Sequence, residues 1–194
     1  MIGRTRQVAV RWAVAGAACA LATAPAVAQP AGEATDVPAH RLAGQHIVWS
    51  RAVAFATGLA EYGVGAAPKH FPGLGAATET TDDVPVTIGL SRAELRRADL
   101  RPYRALVRHR VPLVMMSTAV FPAFSSRPAA LAPELVTGEL KGRLGFGGIV
   151  VADALDTPAL AVVGSHGTVA RQAAAAGVDL MPFVSPQAAR AAQA

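Results

Sequence analysis

The chain has 194 residues, with 18 basic and 13 acidic side chains, a formal charge of +5, one cysteine and 5% aromatic residues. A single cysteine excludes an internal disulfide and a cysteine-built metal site. No basic stripe is interleaved with aromatics, so nucleic acid is not an expected partner.

The first residues read as a leader. Arg4, Arg6 and Arg11 precede an apolar run from Trp12 to about Ala22, and Ala26-Val27-Ala28 precedes Gln29. A basic head, a short apolar middle and an A-x-A exit predict a signal peptide over residues 1–28 and a secreted or cell-envelope protein. The run falls short of the ~20 residues that span a bilayer, so no stable membrane span is expected. An uncleaved anchor is the alternative. Cys19 is a poor lipidation candidate, because Gly16 stands where a lipobox usually has leucine. Without its first 28 residues the chain keeps 166, with 15 basic against 13 acidic side chains, or +2. That length suits one domain. Residues 29–45, rich in Ala, Pro and Gly, read as a linker, leaving 46–194 as the domain.

From Ile47 to Tyr62, apolar residues recur at helical spacing, with Gly63 to stop the helix. Val64–Phe71 reads as a short extended stretch ending in a Pro-Gly turn. Ser91 with Glu94 forms a capping box for a helix from Arg92. Arg92, Arg96, Arg97, Arg101, Arg104 and Arg108 then predict a solvated, charged helix face. Val111–Met116 and Ile149–Ala152 are compact apolar strands, separated by a helix over Ala132–Arg143 that ends near Gly145. Val169–Ala176 is expected to be helical and closed by Gly177, with a last strand at Val178–Met181. Helices alternating with unalternating apolar strands indicate parallel βα units, their sheet covered on both faces. The pattern predicts an α/β domain of four parallel strands.

Five blocks carry a resemblance. They are Lys69-His70-Phe71-Pro72-Gly73-Leu74-Gly75, Asp99-Leu100-Arg101-Pro102-Tyr103, Val114-Met115-Met116-Ser117, the stretch from Arg127-Pro128-Ala129 through Leu144-Gly145-Phe146 to Val151-Ala152-Asp153-Ala154-Leu155, and Ala176-Gly177-Val178-Asp179-Leu180. In this order and spacing they resemble the second half of the catalytic barrel of glycoside hydrolase family 3, of the bacterial β-N-acetylhexosaminidase type. The resemblance covers roughly Trp49 to Phe183. It implies a partial (β/α)8 TIM barrel, about four parallel βα units matching strands five to eight.

The same resemblance implies retaining hydrolysis of terminal N-acetyl-β-glucosaminide-type bonds, a carbohydrate substrate and no cofactor. Asp153 matches the nucleophile, while Lys69 and His70 match groups that hydrogen-bond the sugar. Active-site groups of parallel barrels gather at the carboxyl ends of strands, which suits all three positions. A carboxylate is also the right group to attack an anomeric carbon and form a glycosyl-enzyme. The competing reading of Asp153 is a helix N-cap.

Three features depart from the family pattern. The loop after the KHFPG run carries Thr80, Thr81 and Asp82 where the family has Asp-Ser-His, so the proton-transferring histidine is absent. Glu79, Asp82 or Asp83 is the candidate general acid if apolar surroundings raise its pKa, with Asp82 at the position that matches the family's histidine. A solvated acidic loop is the alternative. A whole (β/α)8 barrel takes about 250 residues, so a homodimer or a partner chain is expected to complete this one. Pro68 precedes Lys69, which makes that strand an edge or a bulge. Two functions therefore stand: an exported glycoside hydrolase, or a non-catalytic remnant that binds saccharide or a partner chain. His40, His46, His109 and His166 lack metal-ligand spacing, so no metal is expected. Ser165-His166 lacks the G-x-S-x-G elbow of a nucleophilic serine.

Overall fold

The computed structural model describes residues 49–193. The expected leader, the linker and the first two residues of the first predicted helix lie outside them. The elements are α1 (Trp49–Glu61), α2 (Arg92–Arg97), α3 (Leu100–Arg108), β1 (Leu113–Met116), a π-helix (Glu134–Arg143), β2 (Ile149–Ala152), α4 (Pro158–Ala161), α5 (His166–Ala176) and α6 (Pro186–Ala192).

Strands β1 and β2 pair in parallel, with Leu113 opposite Ile149 and Met116 opposite Ala152. Parallel bridges extend this pair on both sides, Phe71 to Met116 and Leu180 to Val151. Four parallel neighbours in chain order are therefore present, as the alternation of elements predicts. The outer two are single bridges rather than full strands. Chemistry limits them: Pro68 has no N–H to donate, and Pro182 follows the last strand closely. Pro68 still contributes its carbonyl, which accepts from Met115 N at 3.0 Å. β1 likewise starts after Pro112 instead of at Val111.

The core fills the space between this row and the helices. Val114, Met116, Val150 and Ala152 point into it and are buried, together with Leu95, Leu100, Tyr103, Leu135, Leu140 and Val169. The Phe71 ring meets Tyr103 of α3 edge-on, 5.0 Å between centroids. That contact fixes which face of α3 turns inward.

Local sequence sets the helix ends. Ser91 and Glu94 form the expected capping box. Ser165 caps α5, accepting from Thr168 N, so that helix opens three residues earlier than its apolar pattern suggests. Gly177 closes it at φ 100°, where a side chain is disfavoured. The expected helix over Ala132–Arg143 is a 3₁₀ turn (Ala129–Leu131) followed by the π-helix. Pro133 interrupts it, and the Thr137 hydroxyl donates to the Pro133 carbonyl at 2.7 Å, occupying an acceptor of the ordinary ladder.

The arginine face is not wholly solvated, which corrects the expectation for two of its members. Arg96 forms a bidentate pair with Glu139, at 3.1 and 2.8 Å, and Glu139 is 4% exposed. Arg143 pairs with the same carboxylate. Arg92 donates to the Ala123 carbonyl and lies over the Phe124 ring. Sequence separation hid these contacts, since Arg96 and Glu139 are 43 residues apart. Burial alone would raise the Glu139 pKa, but the hydrogen bonds from Arg96 and Arg143 outweigh it and leave the pKa lowered. A lowered folded pKa gives stability that is present above the ordinary glutamate value of about 4.3 and lost as pH falls below it. Arg96→Ala is expected to cost about 2 kcal/mol in urea unfolding at pH 7, because it strips charged hydrogen bonds from a buried carboxylate. Glu139→Gln should flatten the acid limb of stability against pH; an unchanged limb would remove Glu139 from that role.

Candidate active site

The candidate site is assembled at the carboxyl end of the parallel row. Phe71 N–H donates to Met115 O, and Ser117 N–H donates back to Phe71 O, both at 2.8 Å. One strand further on, Asp153 N–H donates to Met116 O at 3.0 Å. These bonds set His70, which immediately precedes Phe71, and Asp153, which immediately follows β2, on either side of the end of β1.

Their side chains meet. His70 Nε2 lies 3.1 Å from Asp153 Oδ2, with 23% of the histidine side chain and 17% of the aspartate exposed. The second carboxylate oxygen, Oδ1, accepts from Ala154 N–H at 2.9 Å. The hydrogen bond from His70 lowers the Asp153 pKa most; burial opposes it, and Ala154 N–H and the charge of Lys69 reinforce it. Asp153 is therefore held as a half-buried carboxylate at neutral pH. It caps no helix. Thr157 is the N-cap of α4, which overturns the capping reading of Asp153.

Lys69 is exposed beside His70 and acts on Asp153 through its charge. The peptide bonds Lys69–His70 and Phe71–Pro72 are cis. Gly73 has φ 146°, and a Cβ there would stand 2.6 Å from Asp99 Cβ and 2.8 Å from Asp99 Oδ1. The glycine of the KHFPG run thus lets the loop press against buried Asp99 at the start of α3.

Asp82 lies elsewhere. It is exposed, its N–H donates to Thr80 Oγ1 at 3.1 Å, and its carboxylate makes no hydrogen bond or ion pair among the described residues. Glu79 and Asp83 are exposed in the same loop. That loop leaves at Phe71 and returns where Thr87 bridges Val120, beyond the end of β1. Both its ends are therefore anchored at the site end of the row. Among the described residues, no group of three or more His, Cys, Asp or Glu is placed to hold a metal ion.

Two further carboxylates tie elements together, Asp156 at the site end of the row and Asp179 toward the amino end of β2, and neither is singled out as a site residue by the sequence. Asp156 accepts from Val184 N and Ser185 N, both at 2.9 Å, tying the loop after Leu180 to the loop after β2. Asp179 accepts from Val150 N at 2.8 Å and lies 3.4 Å from Lys141, whose ammonium also donates to the Gly177 carbonyl. Sequence offered only a weak signal for either one: both acids stand in apolar surroundings beside a strand end.

The profile described as Glycosyl hydrolase family 3 N terminal domain matches residues 43–193. The chain belongs to glycoside hydrolase family 3. Among family 3 relatives, an "Uncharacterized secreted glycosyl hydrolase" of Arthroderma benhamiae is 44% identical over 138 residues, 70% of this chain and 39% of that protein. A β-hexosaminidase of Chromobacterium violaceum is 32% identical over 130 residues, 67% of this chain and 36% of that protein. A family 3 β-N-acetylglucosaminidase of Paenibacillus superposes with TM-score 0.72 at 33% identity, covering 75% of this chain and 28% of its own. The β-N-acetylhexosaminidase of Beutenbergia cavernae gives TM-score 0.68 at 35% identity, covering 75% and 43%. The chain thus spans about two fifths of the curated family 3 relatives it matches. Its fold is a partial α/β barrel.

Replacing His70 with Asn should raise the Asp153 pKa, since the largest stabiliser of its charged form is removed. Carboxyl carbon shifts of Asp153 followed by NMR through an acid titration check this. A curve that stays in place would show that the 3.1 Å contact carries no interaction.

Proposed function

We propose that this family 3 chain acts on terminal N-acetyl-β-glucosaminide-type bonds with retention, and that Asp153 is its nucleophile. The observation that carries the reading is the His70–Asp153 contact at 3.1 Å, in which the carboxylate is partly desolvated yet kept ionised. An ionised carboxylate attacks the anomeric carbon, and the aglycone oxygen departs with a proton from a general acid. Water then attacks the anomeric carbon of the glycosyl-enzyme as it gives a proton to the conjugate base of that acid, and the bond to Asp153 breaks to free the carboxylate. His70 and Lys69 have the donors to hold sugar hydroxyls, and a donor shared between Asp153 and the sugar would orient one against the other. Asp82 is the proposed general acid. Its anchored loop supports this, because a loop fixed at both ends beside the site can bring a carboxylate over a bound sugar.

The names of the relatives support the substrate class, and the name of the Arthroderma protein supports export, in keeping with the leader pattern at residues 1–28. We place a linker at 29–45 and the barrel domain at 46–194. A second reading, a non-catalytic chain that binds saccharide or a partner, is favoured by one specific observation. Asp82 is exposed with no partner for its carboxylate among the described residues, and no histidine stands in its loop.

Leaving-group dependence separates the two. A dinitrophenyl N-acetyl-β-glucosaminide needs little protonation as it departs, so it should be cleaved far faster than a disaccharide. Asp153→Asn should abolish that cleavage, since an amide cannot form the glycosyl-enzyme. Asp82→Asn should slow only the poorer leaving group. Wild-type turnover no faster than the buffer blank would eliminate the enzyme reading in favour of the second.

We further infer that a second chain, another copy or a partner, covers the open sides of the row. The outer positions Phe71 and Leu180 bridge only inward among the described residues. Leu180 is itself 48% exposed, and the described residues carry further exposed apolar side chains, with Phe55 at 70% and Val64 at 50%. Unpaired edges and apolar faces of this kind seek partners. Light scattering of the purified chain should therefore report more than one copy per particle, or a complex with a co-purified chain. A single monodisperse monomer with a cooperative thermal transition would show that four units close a core unaided.

A further inference from the structure

The reach of His70 is set by its neighbour. Phe71 bridges Met116 and is fully buried in the core, and successive side chains along a strand point to opposite faces, so His70 projects to the side where Asp153 lies. Two backbone hydrogen bonds, from Phe71 N–H to Met115 O and from Ser117 N–H to Phe71 O, fix the distance of this segment from β1. Among the described residues nothing bridges Phe71 from its outer side. The two bonds alone therefore leave the segment able to tilt about them, and a small tilt moves the histidine tip furthest.

A second set of contacts removes that freedom, and it comes from the amino end of α3. Asp99, the N-cap of α3, and Tyr103, four positions on, fall on one face of the helix end. The buried Tyr103 ring meets the Phe71 ring edge-on, 5.0 Å between centroids and 81° between planes. Buried Asp99 lies so close to Gly73 that a Cβ there would stand 2.6 Å from Asp99 Cβ. Gly73 also has φ 146°, so conformation and space both call for glycine. Leu100 and Leu106, buried on the same helix, root it in the core. One helix end thus meets the loop at Phe71 and again at Gly73, and His70 immediately precedes the first of these points.

We propose that Tyr103 is a positioning residue for the candidate site: by packing on Phe71, backed by the Asp99–Gly73 contact, it sets His70 within hydrogen-bond reach of Asp153. Its use in catalysis rests on the reading of Asp153 as nucleophile, whereas the packing itself does not. Tyr103 touches neither His70 nor Asp153 in this role, and it acts through the loop between them and α3. Burial, with the charge of Asp99 adding to it, pushes the Tyr103 phenol above its ordinary range. The ring is therefore neutral throughout the acid range in which Asp153 titrates, and its own ionisation does not enter. A residue that only filled the core would lower stability when truncated and leave the titration of Asp153 in the folded chain unmoved. A positioning residue moves that titration.

Carboxyl carbon shifts of Asp153, followed by NMR through an acid titration of the purified chain, read the contact without substrate. The outcome is thus separate from that of the glycosidase reading. Tyr103→Leu should raise the Asp153 pKa in the same direction as His70→Asn, and by at least about half as much, because the histidine is the largest stabiliser of the charged form. Tyr103→Phe keeps the ring and should titrate as the wild type does. Combined with His70→Asn, Tyr103→Leu should add nothing to the shift of His70→Asn alone, since both changes remove one contact. Gly73→Ala pushes the loop off Asp99 without taking volume from the core, and it should raise the Asp153 pKa as well. That variant decides the matter should Tyr103→Leu fail to fold. An unmoved Asp153 titration in folded Tyr103→Leu or folded Gly73→Ala would overturn the proposal, as would full additivity in the double variant. A rise in Tyr103→Phe equal to that in Tyr103→Leu would overturn it too, because the hydroxyl and not the packed ring would then carry the effect.

Discussion

The geometry of the site depends on a short run of backbone hydrogen bonds at the end of β1. Met115 O receives Phe71 N–H, Phe71 O receives Ser117 N–H, and Met116 O receives Asp153 N–H. Parallel strands are held by slanted, evenly spaced bonds, so the register of one neighbour constrains the next. A slip of one residue would turn each side chain to the opposite face. His70 would then leave Asp153, and Met116 would leave the core. The 3.1 Å contact is thus a consequence of register before it is a matter of two side chains attracting one another.

Register in turn needs the layer behind the sheet to stay in place. Glu139 is fixed from two directions, by Arg96 of α2 and by Arg143 one turn further along its own helix. Lys141, in the same helix, reaches Gly177 O and Asp179, and Asp179 also accepts from Val150 N–H of β2. One π-helix therefore connects α2, the end of α5 and the amide of a central strand. A pair of four-residue strands is marginal on its own, however apolar its side chains. Charged hydrogen bonds at the periphery supply constraints that the short strands do not.

Much of this was legible in the sequence, and what was missed has definite physical causes. The capping box at Ser91, the stop at Gly177 and the strand β2 follow from local rules, because every group involved lies within a few residues. His70 and Asp153 were placed together by resemblance and by the habit of parallel barrels, not by any spacing along the chain. Local charge patterning predicts a solvated Arg96 because it treats arginines on one helix as equivalent. Tertiary packing does not: Arg96 meets a buried acid, whereas Arg104 and Arg108 do not. The π-helix was missed because apolar periodicity over ten residues cannot distinguish i→i+4 from i→i+5 bonding once Pro133 and Thr137 alter the first turn.

The state of Asp153 bears on where a proton for the leaving group can come from. A carboxylate that accepts from both His70 and Ala154 N–H is stabilised in its charged form, and the charge of Lys69 adds to this. Such a group is suited to attack and unsuited to donate a proton near neutrality, because its bound hydrogen-bond donors must be displaced or reoriented before it can be protonated. His70 is committed to the same carboxylate through Nε2. If His70 gave up that proton, Asp153 would lose its largest stabiliser at the moment its charge is consumed by bond formation. In the retaining reaction proposed above, the two roles are therefore best separated between this pair and a group outside it. Within the described residues, Asp156 also follows that end of the row, but its carboxylate is taken up by Val184 N–H and Ser185 N–H, whereas Glu79, Asp82 and Asp83 lie on the loop from Phe71 to Thr87. On the proposed reading, the choice between cleaving and only binding turns on that loop more than on the pair it borders.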